Sequence, residues 1–154
     1  VGLKVLSNVC GHDTVQGAAT ILNTVYAADQ QFEIKATTLP VSAQGFDLMV
    51  RNQDSTDLLN RYYAIFRNAA TLEIDIRKNI AALDTQLGAT IDTEVAMALN
   101  NTLRIRASGT TIEVFVNGVS KGTRTDSDVS LSGRFAIRCS DETGRFDDLR
   151  GGNI

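Results

Sequence analysis

Apolar and polar residues alternate along most of this chain, and a period of two is typical of β-strands that bury one face. The clearest alternating runs are QFEIKATTL (31–39), GFDLMVRN (45–52), TLEIDIRKN (71–79), NTLRIRASG (101–109), TIEVFVNG (111–118) and GRFAIRCS (133–140). In the first run Phe32 and Ile34 share one face, and Glu33 lies on the other. Helical periodicity is almost absent. The pattern predicts about ten short strands, each with an apolar inner face and a polar outer face.

Turn-forming residues separate these runs. Asn117-Gly118 stands between two alternating segments, and Asn-Gly favours a type I′ hairpin because both central residues need a positive φ. Gly133 and Gly144 stand directly before the last two predicted strands. Many short strands joined by tight turns predict an all-β fold, which we expect to be a two-sheet antiparallel β-sandwich or jelly roll.

Two segments give a less clear pattern. Residues 12–20 are predicted as a loop that leads into a strand, AATILNTVY (18–26). Residues 91–99 fit either a short helical turn or a further strand. The length is most simply explained by one β-sandwich domain over residues 1–154. Because the chain starts at Val1 without a leader, we expect it to be processed or to be part of a longer chain.

Charge and hydropathy narrow the range of partners. The net charge is −3 and no run of five basic residues occurs, so we predict no nucleic-acid partner. The apolar runs are only a few residues long, so we predict no membrane insertion. The sequence contains neither a P-loop nor a dinucleotide-binding glycine fingerprint.

The residues that usually hold metals are few. Cys10 and Cys139 are the only cysteines, and their separation does not fit a zinc site or a disulfide framework. We favour two separately buried thiols, and a single disulfide between them stays open. His12 is the only histidine, so a multi-histidine metal site is excluded, and we interpret it as a loop residue.

Residues 101–152 carry a more specific pattern. A strand ending in RASG is followed by TIEVFVNG, then by TDSDVSLSG, and finally by RFDDL. This segment resembles the C-terminal half of concanavalin A-like jelly-roll domains, a group that includes lectins, glucanases and laminin-G-like domains. The resemblance implies that Phe146 points into the core and that Asp147 and Asp148 stand at a sheet edge. It also implies a first strand at or before Val1.

The resemblance also raises the question of calcium. Many members of the group hold a structural calcium ion with an acidic residue of the last strand, and Asp147 matches that position. A complete set of oxygen ligands is not readable in the sequence. We favour a solvated or hydrogen-bonded carboxylate at Asp147, with a structural calcium ion as the alternative, and we predict no other cofactor.

The tetrapeptide EIDI, within residues 72–78, resembles the catalytic strand of the glucanases in this group. A retaining glycosidase needs two carboxylates about 5–5.5 Å apart, and E-I-D-I with a following Glu supplies them. The resemblance would make Glu73 the nucleophile and Asp75 its helper. Arg77 takes the place of the acid, and a guanidinium cannot act as one. We therefore predict no catalytic residues and no enzyme activity, and a plain strand paired with Arg67 or Arg104 explains the motif.

Sugar-binding relatives place exposed aromatic rings against the sugar and use polar side chains for its hydroxyls. The candidate ligand-binding residues are Tyr26, Tyr62, Tyr63, Asn60, Arg61, Asp126 and Asp128. Because Tyr62 and Tyr63 are adjacent, one of them faces out of its strand, and Tyr26 is expected to be exposed near a strand end. We favour the alternative, in which one tyrosine of the pair packs in the core and the other covers a sheet face.

The plain, tryptophan-free composition resembles sandwich domains appended to bacteriophage virion proteins and surface adhesins. It predicts a non-catalytic structural or interaction domain of a larger assembly, most simply a bacteriophage head decoration, head fibre or tail fibre. The expected partners are other protein subunits, as a homo-oligomer, with glycans as a further class. The expected location is the virion surface or the extracellular space. The alternative is a carbohydrate-binding, lectin-like module of a secreted or cell-surface protein, because fold analogy does not establish function.

Overall fold

A computed structural model describes residues 3–5, 19–141 and 143–154 of the chain. Within these residues the chain forms thirteen β-strands, and it contains no helix long and apolar enough to cross a membrane. The strands are β1 (Leu3–Val5), β2 (Ala19–Ile21), β3 (Gln30–Thr38), β4 (Gly45–Asn52), β5 (Arg61–Asn68), β6 (Leu72–Ile80), β7 (Leu83–Gln86), β8 (Ile91–Asp92), β9 (Thr102–Ser108), β10 (Thr111–Val116), β11 (Val119–Thr125), β12 (Arg134–Cys139) and β13 (Arg145–Asn153). The predictions for Cys10, for its pairing with Cys139 and for His12 lie outside the described residues.

The strands form two antiparallel sheets that pack face to face. The six-stranded sheet has the order β1-β13-β3-β9-β10-β11, and the seven-stranded sheet has the order β2-β12-β4-β5-β6-β7, with β8 also paired to β6. Strands that are distant in sequence, such as β13 and β3, are neighbours, so the chain crosses repeatedly between the sheets as in a jelly roll. The predicted all-β, two-sheet antiparallel β-sandwich is confirmed.

The core between the sheets is built from the faces that the alternation predicted. Its members from the predicted pattern are Phe32, Ile34, Ala36, Phe46, Leu48, Val50, Leu72, Ile74, Ile76, Leu103, Ile105, Ile112, Val114, Val116, Phe135 and Ile137. Phe135 stacks between Tyr26 and Phe32, with ring centroids 4.1 and 5.0 Å away. Phe146 enters the core as predicted and meets Phe46 edge-on at 6.3 Å. Each buried phenylalanine contributes about 1.5–3 kcal/mol, so this cluster holds the two sheets together.

Two glycine positions behave as the sequence predicts. Asn117 and Gly118 have φ values of 52° and 77° and connect β10 to β11, which is the conformation of a type I′ turn. Gly133 precedes β12 and lies against the backbone of β4. A Cβ at this position would lie 2.5 Å from the carbonyl carbon of Arg51, so the close approach of the two strands requires glycine.

The structure refines three expectations. The predicted strand in AATILNTVY is limited to β2, followed by a single bridge between Tyr26 and Gly133. Of the two alternatives for the segment 91–99, the strand is confirmed for Ile91–Asp92, and irregular turns follow it. Asp147 pairs with Lys35 of β3 on one side, and the described residues of β1 pair only with Leu149, Arg150 and Gly151 on the other, so the edge position of Asp147 and Asp148 stays a prediction. The residues of β1 supply the first strand that the resemblance had placed at or before Val1.

The hairpin between β6 and β7 uses unusual turn residues. Ile80 pairs with Leu83, so Ala81 and Ala82 form a two-residue turn. Their φ values are 48° and 70°, in the left-handed region, where an L-residue with a Cβ is disfavoured by roughly 1–2 kcal/mol. The backbone N–H of Ala81 donates to Oδ1 of Asn60 at 3.0 Å, which ties the turn to the neighbouring loop.

Replacing this turn by Asn-Gly relieves the strain. We expect the double variant Ala81→Asn, Ala82→Gly to raise the free energy of unfolding by about 1–2 kcal/mol, because Asn and Gly tolerate positive φ. Urea unfolding measures this change. The reverse exchange at the other hairpin, Asn117→Ala with Gly118→Ala, is the control and lowers stability by more than this amount, because it also removes the hydrogen bond from the Thr102 N–H to Oδ1 of Asn117. An unfolding midpoint that does not rise in the first variant contradicts the strain argument.

Candidate functional site

The outward face of the seven-stranded sheet is the main candidate site. On β4 the side chains of Phe46 and Leu48 lie in the core, so Asp47 and Met49 point away from it. The same alternation on the neighbouring strands defines this surface, called the outer face below. Its polar residues are Arg134, Arg138, Asp47, Asn52, Arg61, Tyr63, Arg67, Glu73, Asp75, Arg77, Asn79, Asp84 and Gln86.

Several side chains of the outer face are almost fully buried, although they point away from the core. Asp47 is 0% exposed, Asp75 is 3% exposed and Arg61 is 7% exposed. A small apolar cluster that includes Met49 and Ala136 lies on the same face. A charge removed from water costs several kcal/mol unless it is paired and hydrogen-bonded. The pattern of ion pairs therefore determines what this face can bind.

The two carboxylates of the EIDI strand are held by one arginine. Arg67 on β5 donates to Asp75 at 2.6 Å and to Glu73 at 3.3 Å. Asp75 also accepts from the hydroxyl of Thr90 at 2.6 Å. The predicted pairing with Arg67 is thus confirmed. The alternative prediction, that these carboxylates pair with Arg104, is wrong, because Arg104 lies on β9 in the other sheet.

Tyr63 lies at the centre of the outer face, and its ring is only 4% exposed. Its hydroxyl donates to Asp84 at 2.5 Å, and Arg77 forms an ion pair with the same carboxylate at 2.7 Å. The guanidinium of Arg61 lies 4.9 Å from the ring centroid. Burial and the hydrogen bond to Asp84 raise the pKa of Tyr63 to about 12. The ring is covered by Arg61, so it is not an open stacking platform.

Asp47 is the most deeply buried carboxylate of the outer face. Nε of Arg138 on β12 donates to its Oδ2 at 2.6 Å. Its other oxygen, Oδ1, is buried and has no hydrogen-bond partner among the described residues. Burial raises the pKa of Asp47, although the charge of Arg138 and its hydrogen bond act in the opposite direction.

A row of unmatched polar atoms crosses one end of the outer face. Arg134 on β12 pairs with Asn52 on β4, and Arg61 on β5 pairs with Asn79 on β6. In each of these four residues, called the polar row, one buried side-chain atom has no partner in the described part of the chain. The atoms are Nε of the two arginines and Oδ1 of the two asparagines, so donors and acceptors alternate across four adjacent strands.

Such atoms are rare in native proteins, where buried polar groups are bonded to protein, water or ligand. Leaving one unmatched costs about 1–3 kcal/mol. Outside the outer face, the described residues contain one further case, Nε of Arg104. That guanidinium lies 4.0 Å from the ring centroid of Phe115, which accounts for its position. The other five atoms are concentrated on the outer face.

A second group of predicted residues meets at the end of the sandwich. Tyr62 is 0% exposed and packs in the core, with its hydroxyl donating to Asp126 at 2.5 Å. Lys78 donates to Asp126 and to Asp128, each at 2.6 Å. The backbone N–H of Val129 donates to the Tyr62 hydroxyl at 3.1 Å. These residues bond mainly to one another, and together they fasten the loop before β12.

A cavity of about 200 Å³ opens beside this group. It is lined by Gln53, Asn60, Ile80, Asp128, Val129, Ser130 and Leu131. The structure therefore brings together four of the predicted residues, Asn60, Tyr62, Asp126 and Asp128. Their role in binding a ligand stays a prediction.

A buried arginine supports the same end of the sandwich. Arg51 is 1% exposed and donates to the carbonyl oxygens of Ala28, Gly109 and Val129 at 2.7 to 2.9 Å. Its guanidinium lies 5.9 Å from the ring centroid of Tyr62. Three loops are thus anchored to the end of β4, next to the polar row.

The remaining predicted residues lie apart from these groups. Tyr26 is 8% exposed and stacks on Phe135, so the expectation of an exposed ring is wrong for Tyr26. Of the adjacent pair, Tyr62 packs in the core and Tyr63 covers the outer face, as the favoured interpretation predicted. A single bridge to Gly133 holds the backbone of Tyr26 next to the start of β12. Asp147 accepts the backbone N–H of Asp148, and calcium binding there stays a prediction. Among the described residues, no group of three or more potential ligands is arranged around a metal site.

Sequence reasoning found Arg61 but missed its companions in the polar row. Arg134, Asn52 and Asn79 lie far apart in the chain, and only strand pairing brings them into one line. The alternation does predict that Arg134 and Asn79 face away from the core. It does not predict the strand order, so the row could not be read from the sequence.

The same fold occurs in solved structures of low sequence identity. The carbohydrate-binding module CBM66 from Bacillus subtilis matches with a TM-score of 0.73 and 17% identity, over 99% of this chain and 95% of that one. The galectin LEC-6 of Caenorhabditis elegans matches with a TM-score of 0.62 and 10% identity, over 97% and 96% of the two chains. A β-glucanase of Bacillus licheniformis matches with a TM-score of 0.64 and 8% identity, over 99% of this chain and 92% of that one.

These likenesses define the fold class. The chain has the concanavalin A-like jelly-roll fold of the lectin and glucanase group, as the resemblance of residues 101–152 predicted. No protein-family model matches the sequence, and no curated protein matches it.

The buried Asp47 has a testable effect on stability. The pKa of Asp47 is raised in the folded state. At pH values between the ordinary pKa of about 3.9 and the raised pKa, the folded chain therefore binds more protons than the unfolded chain. Stability contributed by this group therefore falls as the pH rises through that window. We expect Asp47→Asn to gain free energy of unfolding relative to the native chain over the same window. Urea unfolding of both chains at a series of pH values measures the difference.

Asp141 provides a control of opposite sign. Burial acts to raise the pKa of Asp141, but hydrogen bonds from Thr143, Gly144 and Val41 outweigh burial and lower it. Its stabilising contribution is full above about pH 3.9 and is lost as the pH falls through the lowered value. The advantage of the native chain over Asp141→Asn therefore grows with pH. The same direction of change for both variants contradicts this assignment.

Proposed function

We propose that this chain is a non-catalytic carbohydrate-binding module whose ligand lies on the outer face of the seven-stranded sheet. The observation that carries the proposal is the polar row, where two buried donors and two buried acceptors lack protein partners. A saccharide hydroxyl both donates and accepts hydrogen bonds, so a row of alternating donors and acceptors suits a ligand with several hydroxyls. These atoms are shielded from solvent, so binding includes a turn of the side chains that exposes them, and the new hydrogen bonds offset the cost of leaving the atoms unmatched.

The EIDI strand supports binding rather than catalysis. Arg67 bonds to both Glu73 and Asp75, so both carboxylates already have a partner in the chain itself. Arg77 replaces the acid of the glucanase pattern and forms an ion pair with Asp84. A retaining mechanism needs a carboxylic acid as its proton donor, and a guanidinium cannot take that role.

The similar structures favour the carbohydrate-binding alternative over the virion interpretation. Those named above are a carbohydrate-binding module, a galectin and a β-glucanase, and their names point to glycans. None of these three is a virion protein. Assembly with other subunits as a homo-oligomer, and a location at a virion surface or outside the cell, stay predictions.

The test of this proposal separates binding from folding. Asn79 is 8% exposed, and its Oδ1 has no partner in the described residues. We expect Asn79→Ala to weaken the affinity for a glycan selected on an array roughly tenfold, because one buried hydrogen bond to the ligand is lost. The same change leaves the urea midpoint unchanged or raises it, because an unmatched buried group is removed. Isothermal titration and unfolding measure the two effects.

Arg104→Gln is the matched control, because Arg104 also carries a buried unmatched Nε but lies on the six-stranded sheet. We expect it to leave glycan affinity unchanged. No saturable binding to any glycan, or equal loss of affinity in both variants, contradicts the proposal. Release of reducing sugar from β-glucans that depends on Glu73 contradicts the non-catalytic assignment.

A further inference from the structure

We propose that the ligand of the outer face is an acidic saccharide, whose carboxylate or sulfate groups are bound by Arg61 on β5 and by Arg134 on β12. This inference rests on the proposed glycan-binding function and adds the chemical class of the ligand. Its basis is the distribution of charge partners on the outer face, together with the unmatched atoms of the polar row.

Three arginines of the outer face already have carboxylate partners. Arg67 pairs with Glu73 and Asp75, Arg77 pairs with Asp84, and Arg138 pairs with Asp47. These ion pairs occupy the carboxylates in the middle of the face. The arginines are therefore neutralised by residues of the chain itself.

Arg61 and Arg134 differ from these three. Neither forms an ion pair in the described part of the chain, and each has a buried Nε without a hydrogen-bond partner. Asp47 and Asp84 contribute attraction to Arg61, but Arg138 and Arg77 already bind them. Two guanidiniums on the outer face thus remain without a negative partner.

The environment of Arg61 makes this lack of a partner costly. The residue is 7% exposed, and its guanidinium rests on the ring of Tyr63. Burial lowers the pKa of Arg61, and the nearby charge of Arg138 lowers it further, both of which disfavour the cation. A bound anion relieves both effects. Its attraction to a partly desolvated guanidinium is stronger than at an exposed site.

The chemistry of the side chains indicates which class of anionic ligand fits the site. A guanidinium offers a planar fork that matches a carboxylate or sulfate through two parallel hydrogen bonds. Between and beside the arginines, Oδ1 of Asn52 and Oδ1 of Asn79 are acceptors and cannot bind an anion. Nδ2 of Asn52 donates to two loop carbonyls, those of Asp54 and Asp57, which leaves Oδ1 as its acceptor. The ligand therefore carries hydroxyl groups as well as negative charge, which describes an acidic sugar.

The net charge of the chain argues against general attraction of anions. At −3 the protein repels polyanions overall, so binding of an acidic glycan must come from a local site. Adjacent strands lie about 4.8 Å apart, so the polar row, from β12 to β6, spans roughly 14 Å. This length suits an oligosaccharide that crosses the strands.

The experiment compares matched ligands by isothermal titration. The first ligand is an oligosaccharide of uronic acids. The second is its neutral counterpart, in which each carboxylate is reduced to a hydroxymethyl group. The third is a sulfated oligosaccharide. We expect the acidic ligand to bind at least roughly tenfold more tightly than the neutral one, because charge-assisted hydrogen bonds contribute about 1.5–3 kcal/mol. Whichever of the two acidic ligands binds more tightly identifies carboxylate or sulfate as the group that is bound.

Variants test the two arginines directly. Arg61→Gln and Arg134→Gln each reduce the preference for the acidic ligand roughly tenfold, while Arg104→Gln leaves it unchanged. Arg61→Lys keeps the charge without the fork, so we expect it to retain only part of the preference. Thermal unfolding of each variant confirms that the chain is folded, and Arg134, which is half-buried, remains informative if Arg61→Gln unfolds.

The outcomes separate this inference from the function on which it rests. Equal binding of acidic and neutral oligosaccharides, with loss in Asn79→Ala, overturns the acidic class and leaves the glycan-binding function standing. Absence of binding to all three ligands and to a wider array overturns both. A preference for acidic ligands that survives in both Arg61→Gln and Arg134→Gln also overturns this inference, because the anion then binds elsewhere.

Discussion

A charge that is removed from water needs a partner, and the outer face of the seven-stranded sheet depends on this constraint. The inner faces of both sheets are apolar, and their packing explains the fold but not the chemistry. On the outer face, charged side chains are crowded together until some are almost fully buried. Arg67, Arg77 and Arg138 each neutralise carboxylates of neighbouring strands. Arg61 and Arg134 have no carboxylate partner in the described residues. The proposed site follows from this difference between the paired and the unpaired arginines.

The EIDI strand shows how one position changes the use of a surface. The EIDI motif resembles the catalytic strand of glucanases, and the side chains of Glu73 and Asp75 lie on the outer face. Arg77 at the third outward position pairs with Asp84 across β7, and that carboxylate also accepts from Tyr63. The charged residues of this strand are thus part of an ion-pair network. Such a network fixes side-chain positions, which favours selective binding over chemistry.

The fold was more predictable than the site, for a physical reason. Alternation of apolar residues depends on each strand alone, so the inner faces, the Asn117-Gly118 turn and the burial of Phe146 follow from local sequence. The site depends on strand order and register, which place Arg134 beside Asn52, although they are distant in the chain. An exposed ring was expected at Tyr26, but it stacks on Phe135 in the core, and this contact joins residues that are far apart in the chain.

The central claim is that the polar row binds the ligand. The most direct measurement is a nuclear magnetic resonance titration that follows the side-chain Nε–H signals of the arginines as an acidic oligosaccharide is added. We expect saturable shifts for Arg61 and Arg134, with one common dissociation constant, and no shift for Arg104 on the other sheet. Shifts confined to Arg104, or to backbone signals around the cavity of Asn60 and Asp128, would contradict the central claim.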